Sequence, residues 1–369
     1  MKPRFLGAIT ALFLFLAAFS GCVVPDEPFG TGGTAADTSD ASVTIPEGST
    51  FAVHFIDVGQ ADAALVICDG KTMLIDGGNV EDADRIYTYL KKQNILHLDY
   101  VVCTHAHEDH VGGLSGALTA ATAGTVLSPV LDYNSKAFRN FAAKAEGRAG
   151  GLTVPTAGQV FFLGAASVTV VGPLQAYEET NDTSIVLRIV YGKTSFLFTG
   201  DMEASAEADL LDAGVTLKST VLKVGHHGSS TSTSYRFLRE VAPTFGVISV
   251  GVDNQYDHPN EDVLSRLRDA DVVLYRTDMQ GDIVCTSDGE TVTFYTAKEN
   301  NLPTNPTEGD KTTSDSSAVT EYAYIGNLNS KTFHLPTCSV LPSEGNRIYF
   351  TTRGEAEEGG YTACGRCKP

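Results

Sequence analysis

Residues 104–114, THAHEDHVGGL, contain three of the nine histidines in the chain together with two acidic residues. The segment ends the apolar strand-like run YVVCT and leads into the helix-like run VGGLSGAL. Side chains at the end of a strand and on the first turn of a helix can converge on one point. Neutral imidazoles and carboxylates suit Zn²⁺, Mn²⁺ or Fe as ligands. The spacing therefore favours a metal site, and a solvated histidine-rich loop is the alternative.

Further metal-type side chains follow other strand-like runs in the chain. Asp76 lies in LIDGG, Asp201 ends FLFTGD, and His226 and His227 end LKVGHH. Because these residues also stand at strand ends, we expect them to join the same site as the first histidine cluster.

The elements that must position these residues are Val-, Ile- and Phe-rich runs that end in Gly, Asp or Pro, interspersed with helical patterns. The strand-like runs lie at 51–59, 63–70, 71–78, 98–105, 168–173, 184–192, 194–201, 221–227, 245–251 and 282–287. The helical patterns lie at 82–93, 113–121, 203–214, 233–243 and 261–270. Two strand-rich halves, each with helices, predict an α/β fold with sheets packed face to face and helices outside.

The composition is that of a globular protein, with 42% hydrophobic residues in a chain of 369. The formal net charge of −19 argues against a broad basic surface for nucleic acid. It does not exclude phosphate substrates, because bound divalent metals can invert the local electric field.

The N-terminal residues 1–21 have a positive start, an apolar run and small residues at their end, which is typical of a secretory signal peptide. The Ser-Gly pair before Cys22 resembles a bacterial lipobox, in which the Cys becomes the lipidated first residue of the mature protein. An uncleaved membrane anchor and an ordinary secreted protein are the alternatives. We therefore expect the rest of the chain outside the cytoplasm, anchored by lipid to the extracellular face of the cell membrane or secreted.

Two stretches rich in Thr, Ser, Gly and Pro cannot bury a core. Residues 22–48 are predicted to be a flexible tether, and residues 299–318 a linker. Between and after them lie a main domain at 49–298 and a small C-terminal domain at 319–369.

The motif H-x-H-x-D-H after an apolar strand, with LIDGG before it and TGD after it, resembles the metallo-β-lactamase superfamily. The segments HFIDVGQADAALV, NDTSIVLRI, VLKVGHHGS and SVGVDNQYDHPNEDVLSRL are similar to the extracellular nuclease-like domain of ComEC-type DNA-uptake proteins, over about Phe51 to Tyr295. The resemblance implies an αββα sandwich with one or two divalent metals, Zn²⁺ or Mn²⁺, along one edge. The membrane channel of the full uptake proteins has no counterpart in the sequence, so a transport role is not implied.

The resemblance also implies a ligand set for two metals. The first metal would be held by His105 and His107, the second by Asp109, His110 and His227, and Asp201 would bridge them. His226 is the alternative to His227. The further His that the superfamily supplies to the first metal has no counterpart between His110 and His226, where Asn181 and Asp182 are the weak substitutes. Asp76 would orient a ligand or would be only a turn residue.

The implied reaction is hydrolysis by a metal-bound hydroxide, with Asp109 or Asp201 as the group that holds or accepts the proton. Asn254, Tyr256 and His258 have side chains suited to contact with the scissile group. The alternative for these three is a polar loop that caps the helix beginning near Asn260. Residues 229–232 would supply phosphate-contacting hydroxyls or form a flexible loop.

The C-terminal domain contains His334, Cys338, Cys364 and Cys367, a Cys₃His set with tetrahedral zinc spacing. The segment resembles the metal-binding domain of Ada-type repair proteins, with His334 in place of a Cys. About 50 residues bury little core, so we expect a structural Zn²⁺ to supply much of the folding free energy. A disulfide module is the alternative. Three further cysteines, at 68, 103 and 285, are predicted to be buried free thiols.

These features predict an extracellular metal-dependent hydrolase, foremost a phosphodiesterase or DNase that acts on nucleic acid or another phosphodiester. A hydrolase of a small lactone, ester or amide is the second prediction. A non-catalytic surface DNA-binding protein is the third. No protein partner is predicted.

Overall fold

Two seven-stranded sheets pack face to face in the computed structural model, which describes residues 47–298, 303–306 and 323–369. The first sheet has the strand order β14-β13-β1-β2-β3-β4-β5, and the second has the order β12-β11-β10-β9-β8-β7-β6. Helices cover the outer face of each sheet. The predicted αββα sandwich is confirmed.

The strands of the first sheet are β1 Phe51–Phe55, β2 Ala64–Cys68, β3 Lys71–Ile75, β4 His97–Val102, β5 Thr122–Leu127, β13 Ile283–Ser287 and β14 Val292–Thr296. Those of the second are β6 Val160–Leu163, β7 Ala166–Gly172, β8 Val186–Tyr191, β9 Thr194–Phe198, β10 Val221–Lys223, β11 Phe245–Ile248 and β12 Val273–Arg276. Among the described residues the helices are α1 Ala83–Lys92, α2 Glu108–Val111, α3 Leu114–Ala120, α4 Lys136–Ala149, α5 Ala204–Asp212, α6 Tyr235–Val241, α7 Glu261–Asp269, α8 Thr277–Gln280 and α9 Arg353–Glu358.

The core lies between the two sheets. In β1 the side chains alternate, and Phe51, Val53 and Phe55 are buried toward the second sheet. The Phe51 ring stacks on Tyr191 of β8 with 5.0 Å between ring centroids, which joins the two sheets. Burial of each such aromatic side chain stabilises the fold by about 1.5–3 kcal/mol.

Two further apolar clusters attach the helices to the outer faces of the sheets. α1, α3 and α4 pack on the first sheet, and α5, α6 and α7 pack on the second. The helix α6 begins where the Ser234 side chain accepts a hydrogen bond from Phe237 N, an N-cap that fixes its start. The helix therefore begins shortly after the predicted ligand His227.

The small C-terminal domain has its own four-stranded sheet, with the order β17-β15-β16-β18. Its strands are β15 Tyr324–Asn327, β16 Thr332–His334, β17 Arg347–Phe350 and β18 Thr362–Ala363. Among the described residues it belongs to the same compact unit as the sandwich. Residues 303–306 of the predicted linker lie against β12, where the Thr304 hydroxyl donates to Leu274 O at 2.6 Å.

The predicted signal peptide at 1–21, Cys22 and nearly all of the tether at 22–48 lie outside the described residues. In the parts of the chain that the structure describes, no helix is both long and apolar enough to cross a bilayer.

Candidate metal centre

The predicted ligands follow strands whose ends meet at one edge of the sandwich. His105 and its neighbours follow β4, Asp201 follows β9 and His227 follows β10. β3 and β4 run parallel in the first sheet, as β9 and β10 do in the second. The halves approach closely at Gly200, where φ is +52° and a Cβ atom would lie 3.0 Å from Thr104 Cβ. Each half of the fold therefore brings ligands to the same place.

Four donor groups form the centre of the site. Asp109, His110, Asp201 and His227 each place a ligand atom within 4.8 Å of the others. His227 Nε2 lies 3.2 Å from Asp109 Oδ2, and His110 Nε2 lies 3.2 Å from Asp201 Oδ1. The last two atoms are buried and have no hydrogen-bond partner. Since an unpaired buried polar atom costs about 1–3 kcal/mol, a shared divalent cation fits this arrangement better than a hydrogen-bonded cluster does.

The other predicted pair, His105 and His107, lies beside this group. His105 Nε2 is 3.1 Å from His107 Nδ1 and 3.9 Å from Asp201 Oδ2. Among the described residues these three side chains do not each bring a ligand atom within 4.8 Å of the other two, so a first metal held by His105 and His107 stays a prediction. Asp201 borders both sets of donors, which is the position that a bridging carboxylate requires.

The His110 ring is oriented from behind by Asp76. Asp76 Oδ2 accepts a hydrogen bond from His110 Nδ1 at 2.8 Å, and its other oxygen accepts one from Thr104 N at 2.8 Å. The Nε2 atom of His110 is therefore the one that faces the site. A carboxylate behind a metal-binding imidazole fixes its tautomer and raises its basicity.

The His227 ring is held in a similar way. Its Nδ1 atom donates to Ser249 O at 3.0 Å and lies 3.2 Å from Asp62 Oδ1. The other oxygen of Asp62 pairs with the buried Lys223 ammonium at 2.8 Å. Asp62 and Lys223 were not predicted as site residues. The only signal was a lysine in the apolar run VLKVG, because a buried lysine needs a partner.

The carboxylates control the charge of these imidazoles. Burial alone would lower the pKa of His227, but Asp201, Asp62 and Asp109 outweigh it and raise the pKa to about 10. The same balance raises the pKa of His110 well above its usual value, and Asp201 is the carboxylate that raises it most. The carboxylates of the site therefore favour positive charge in the place where a divalent cation would put its own.

The backbone at the end of β10 places His226 and His227 in different surroundings. Both residues have left-handed φ angles, 50° and 53°, and the turn separates their side chains. His227 belongs to the four-donor group. His226 faces the rim, with Nδ1 3.3 Å from Glu203 Oε1 and Nε2 3.7 Å from Asp201 Oδ2.

The rim loop 251–260 holds the three residues predicted to contact substrate. Asn254 uses its amide within the loop: Nδ2 donates to Gly251 O, and Oδ1 accepts from Tyr256 N and His258 N at 3.1 Å each. This is the loop-fixing alternative, and a direct catalytic contact of Asn254 stays a prediction. The Tyr256 and His258 rings stack on each other at 5.8 Å and lie on the rim.

His258 has a defined tautomer. Gln60 Oε1 accepts from Gly251 N, so the Gln60 amide nitrogen faces His258 Nδ1, at 3.4 Å. His258 Nδ1 is therefore the acceptor, and Nε2 carries the hydrogen. Partial burial and the neighbouring His226 and His227 lower the pKa of His258 to about 4, so the ring is neutral at pH 7.

The substitute for the missing first-metal histidine lies near the same rim. Asn181 Nδ2 donates to Glu203 Oε1 at 3.1 Å, and its Oδ1 atom is buried without a partner. Asp182 instead accepts a hydrogen bond from Glu203 N at 2.9 Å. Of the two predicted substitutes, Asn181 is the one with an oxygen free to bind an ion.

The second predicted metal site is assembled in the C-terminal domain. Ligand atoms of His334, Cys338, Cys364 and Cys367 lie within 4.8 Å of one another. The six cysteines of the described residues are free thiols, so the disulfide alternative is wrong there. Hydrogen bonds from Cys338 and Cys367 lower the pKa of the Cys364 thiol, which favours the thiolate that zinc needs.

Comparison with known proteins agrees with both sites. The sequence pattern of the metallo-beta-lactamase superfamily matches residues 56–252, and that of the metal binding domain of Ada matches residues 311–369. The matched regions contain the two donor clusters. The family and the donor set together support a metal-dependent hydrolase.

Several curated relatives have related names. Competence protein ComA of Neisseria gonorrhoeae is 32% identical over 64% of this chain and 32% of its own length. Recombination protein 2 of Haemophilus influenzae is 31% identical over 63% of this chain and 28% of its own length. ComE operon protein 3 of Bacillus subtilis is 28% identical over 63% of this chain and 32% of its own length. The chain thus spans about a third of each of these relatives.

Among solved structures, the metallo-beta-lactamase fold protein YhfI of Bacillus subtilis is 12% identical, with a TM-score of 0.43, over 67% of this chain and 100% of that protein. The match to the superfamily pattern covers more than half of the chain, from residue 56, directly after β1, to residue 252 in the rim loop. On this ground the chain belongs to the metallo-beta-lactamase superfamily.

Proposed function

We propose that the chain is a metal-dependent phosphodiesterase, with DNA as its foremost substrate, that works at the outer face of a bacterial cell membrane. The observation that carries the hydrolytic part is the four-donor group of Asp109, His110, Asp201 and His227, in which two buried atoms, His110 Nε2 and Asp201 Oδ1, face each other without hydrogen-bond partners. A divalent cation there would supply Lewis acidity and would activate water at neutral pH.

The two aspartates of the site differ in exposure, and this difference indicates which of them acts on water and substrate. The Asp109 side chain is 31% exposed, whereas that of Asp201 is 2% exposed. Asp109 is therefore the carboxylate that solvent and substrate reach, and it is the better candidate to accept a proton. Since His110 and His227 keep the pKa of Asp109 low, at about 2, the carboxylate is ionised at neutral pH and can accept a hydrogen bond from the attacking water, although its basicity is low.

The rim supplies hydrogen-bond donors for the substrate. His258 is neutral at pH 7 and carries its hydrogen on Nε2. The exposed Tyr256 hydroxyl lies on the neighbouring ring. Both side chains would donate to phosphate oxygens without adding a formal charge to the site.

The names of the relatives support nucleic acid as the substrate, whereas the negative net charge of the chain opposes it. The names of two relatives contain the words competence and recombination, which is consistent with a DNA substrate for the shared part. The net charge of −19 repels a polyanion at a distance, but salt screens this over about 10 Å. Close to the site, bound cations would reverse the sign of the field.

The location is proposed from the sequence. The signal-like residues 1–21 and the lipobox-like Cys22 support an anchor in the outer leaflet of the cell membrane. Radiolabelled fatty acid incorporated by the wild type and lost in Cys22→Ala would support the anchor. Incorporation in both proteins, or in neither, would reject it.

A second function is favoured by one feature of the rim. The loop 251–260 carries Asp253 and Asp257 and has no lysine or arginine. Acidic side chains around the entrance disfavour a long polyanion. The same site would then hydrolyse a small phosphodiester, lactone, ester or amide.

The experiment uses the full chain, purified free of metal and then supplied with Mn²⁺ or Zn²⁺. Plasmid DNA, a chromogenic phosphodiester and a chromogenic lactone are offered to the wild type, to Asp109→Ala and to Asp132→Ala. Asp132 is exposed and belongs to none of the donor groups, so its variant is the control for loss of a carboxylate.

Nicking of plasmid DNA that falls by more than about 100-fold in Asp109→Ala and persists in Asp132→Ala would support the DNase. Turnover of the small substrates alone would support the second function. If the folded protein turns over none of them with either metal, the hydrolase proposal is wrong, and binding of DNA without turnover would support the non-catalytic alternative.

A further inference from the structure

The face of the C-terminal domain that carries its predicted zinc site contacts the sandwich. Asp269 at the end of α7 and Asp271 in the turn before β12 both contact the small domain through their carboxylates. Asp269 Oδ1 accepts hydrogen bonds from Ser343 Oγ at 2.8 Å and from Asn346 Nδ2 at 2.6 Å. Val273 of β12 packs into the same apolar cluster as Cys338 and Cys364.

The contact of Asp271 is with a zinc ligand itself. Asp271 Oδ1 lies 3.2 Å from His334 Nε2, and the His334 side chain is 0% exposed. The other ring nitrogen, Nδ1, is buried and makes no hydrogen bond. Of the four ligands, only the imidazole has a second polar atom, so only His334 can bind an ion and a carboxylate at once.

We propose that Asp271 of the sandwich is part of the zinc centre of the C-terminal domain. His334 Nδ1 would hold the ion, Nε2–H would donate to Asp271, and occupancy of the zinc site would thereby fasten the small domain to the main one. Carboxylates placed in this way behind a metal-binding histidine orient the ring and strengthen metal binding by about 10–100-fold.

The backbone of Asp271 fits this role. Its φ angle is +54°, in the left-handed region that Asp, Asn and Gly tolerate best. Asn327, which is fully buried in the small domain, donates to the same Oδ1 atom at 3.2 Å. The carboxylate is thus held between two residues of the C-terminal domain, and its position is set before an ion binds.

The contact between Asp271 and His334 must be favourable because of its hydrogen bond rather than because of the charge of the zinc centre. Three thiolates around one Zn²⁺ leave the centre with an overall negative charge, which does not attract a carboxylate. An Asn at position 271 would keep an acceptor oxygen in reach of Nε2–H, whereas a Gly would keep the left-handed backbone and remove the acceptor. The two substitutions therefore separate the hydrogen bond from the charge.

Fastening of the domain also protects the sandwich. β12 is the outermost strand of the second sheet, and an uncovered edge strand can pair with other chains. Val273 contacts the small domain, and the Arg366 guanidinium lies 6.0 Å from the centre of the Tyr275 ring. Loss of the ion should therefore expose part of β12 in addition to unfolding the zinc site.

The test measures metal binding at the thiolate site alone. Co²⁺ bound by thiolates gives a charge-transfer absorption that the histidine and carboxylate ligands of the hydrolase centre cannot produce. We expect Asp271→Gly to weaken Co²⁺ binding at this site by about 10–100-fold, and Asp271→Asn to weaken it by less. Ser343→Ala, which removes an interface hydroxyl that touches no ligand, is the matched control and should leave affinity within about 2-fold.

The second measurement is amide hydrogen exchange of β12, with and without a zinc chelator. His334→Cys supplies a fourth thiolate but no Nε2–H, so it should bind metal and yet exchange faster at 272–276 than the wild type does. Wild-type affinity in Asp271→Gly would overturn the assignment of Asp271. Unchanged exchange of β12 after zinc removal, or in metal-loaded His334→Cys, would overturn zinc-dependent fastening.

Discussion

The buried pair of Asp62 and Lys223 beneath the metal centre leads to a prediction with opposite effects on stability and on metal binding. Their charged atoms lie 2.8 Å apart, and their side chains are 7% and 4% exposed. At an effective dielectric constant of about 20 the attraction is on the order of 6 kcal/mol. Burial costs each ion several kcal/mol, so the pair contributes little net stability, but each partner depends on the other.

Lys223→Met leaves the Asp62 carboxylate buried without its ammonium partner, and the His227 imidazolium 3.2 Å from Asp62 Oδ1 remains as its cationic neighbour. We expect the metal-free variant to lose about 3–5 kcal/mol of unfolding free energy. Adding Asp62→Val removes the stranded charge as well, and an apolar pair of similar volume should restore most of this loss. The double variant should therefore be more stable than Lys223→Met alone.

Metal binding should not recover in the same way. Asp62 Oδ1 lies 3.2 Å from His227 Nδ1, and its negative charge stabilises positive charge on the His227 ring. Without it, we expect metal affinity to fall by about 10–100-fold in the double variant. Denaturant unfolding of the metal-free proteins and metal titration against a competing chelator measure the two effects. Wild-type stability in Lys223→Met, or wild-type metal affinity in the double variant, would refute the reasoning.

Three further predictions concern the same edge of the sandwich. Because Asp201 and its neighbours raise the pKa of His227 to about 10, its proton stabilises the metal-free fold fully below pH of about 6.5, and this contribution is lost as pH rises through 10. Because a cation must displace that proton, metal affinity should rise about tenfold per pH unit from the contribution of His227 alone. Metal titrations at pH 6.5, 7.5 and 8.5 measure this rise, and an affinity that does not change with pH would contradict it. Asp76→Asn weakens the hold on His110 and should lower metal affinity by about 10–100-fold, with unchanged far-UV circular dichroism. Ser234→Ala removes the N-cap of α6 and should cost about 1 kcal/mol in denaturant unfolding with metal stoichiometry unchanged.

The sequence predicted the ligand cluster because its members stand at strand ends, where parallel strands bring distant residues to one edge. His105 to His110, Asp201 and His227 needed only local patterns to be found. Asp62 and Lys223 are 161 positions apart, and nothing local relates them. Their pairing depends on how the two sheets face each other, which strand patterns alone do not give.

Some elements were missed for different physical reasons. β5, with the sequence TAGTVL, has weak strand preferences and forms because it pairs with β4 in the buried sheet. α4 was missed although Phe138, Phe141 and Ala145 repeat at helical spacing and are buried. In the first case tertiary pairing decided the structure, whereas in the second the signal was present in the sequence.

Asn254 has a role in the structure that its residue type alone did not decide. An amide in a polar loop near a metal site has the chemistry for contact with substrate. Yet a short polar side chain also competes for nearby backbone groups, and Asn254 bonds to four of them within its own loop. The side-chain types of the loop predicted that it lies near the metal site. The hydrogen bonds of Asn254 show that this side chain holds the shape of the loop.

The division of ligands between the two halves has a consequence for stability. His105, His107, Asp109 and His110 follow a strand of the first sheet, whereas Asp201 and His227 follow strands of the second. A cation between them would join the halves at this edge, while the core between the sheets joins them over the rest of their area. Metal at 100 times its dissociation constant would add about 2.7 kcal/mol to unfolding free energy. Because the core does not depend on it, removal of the ion should loosen the ligand loops without opening the sandwich.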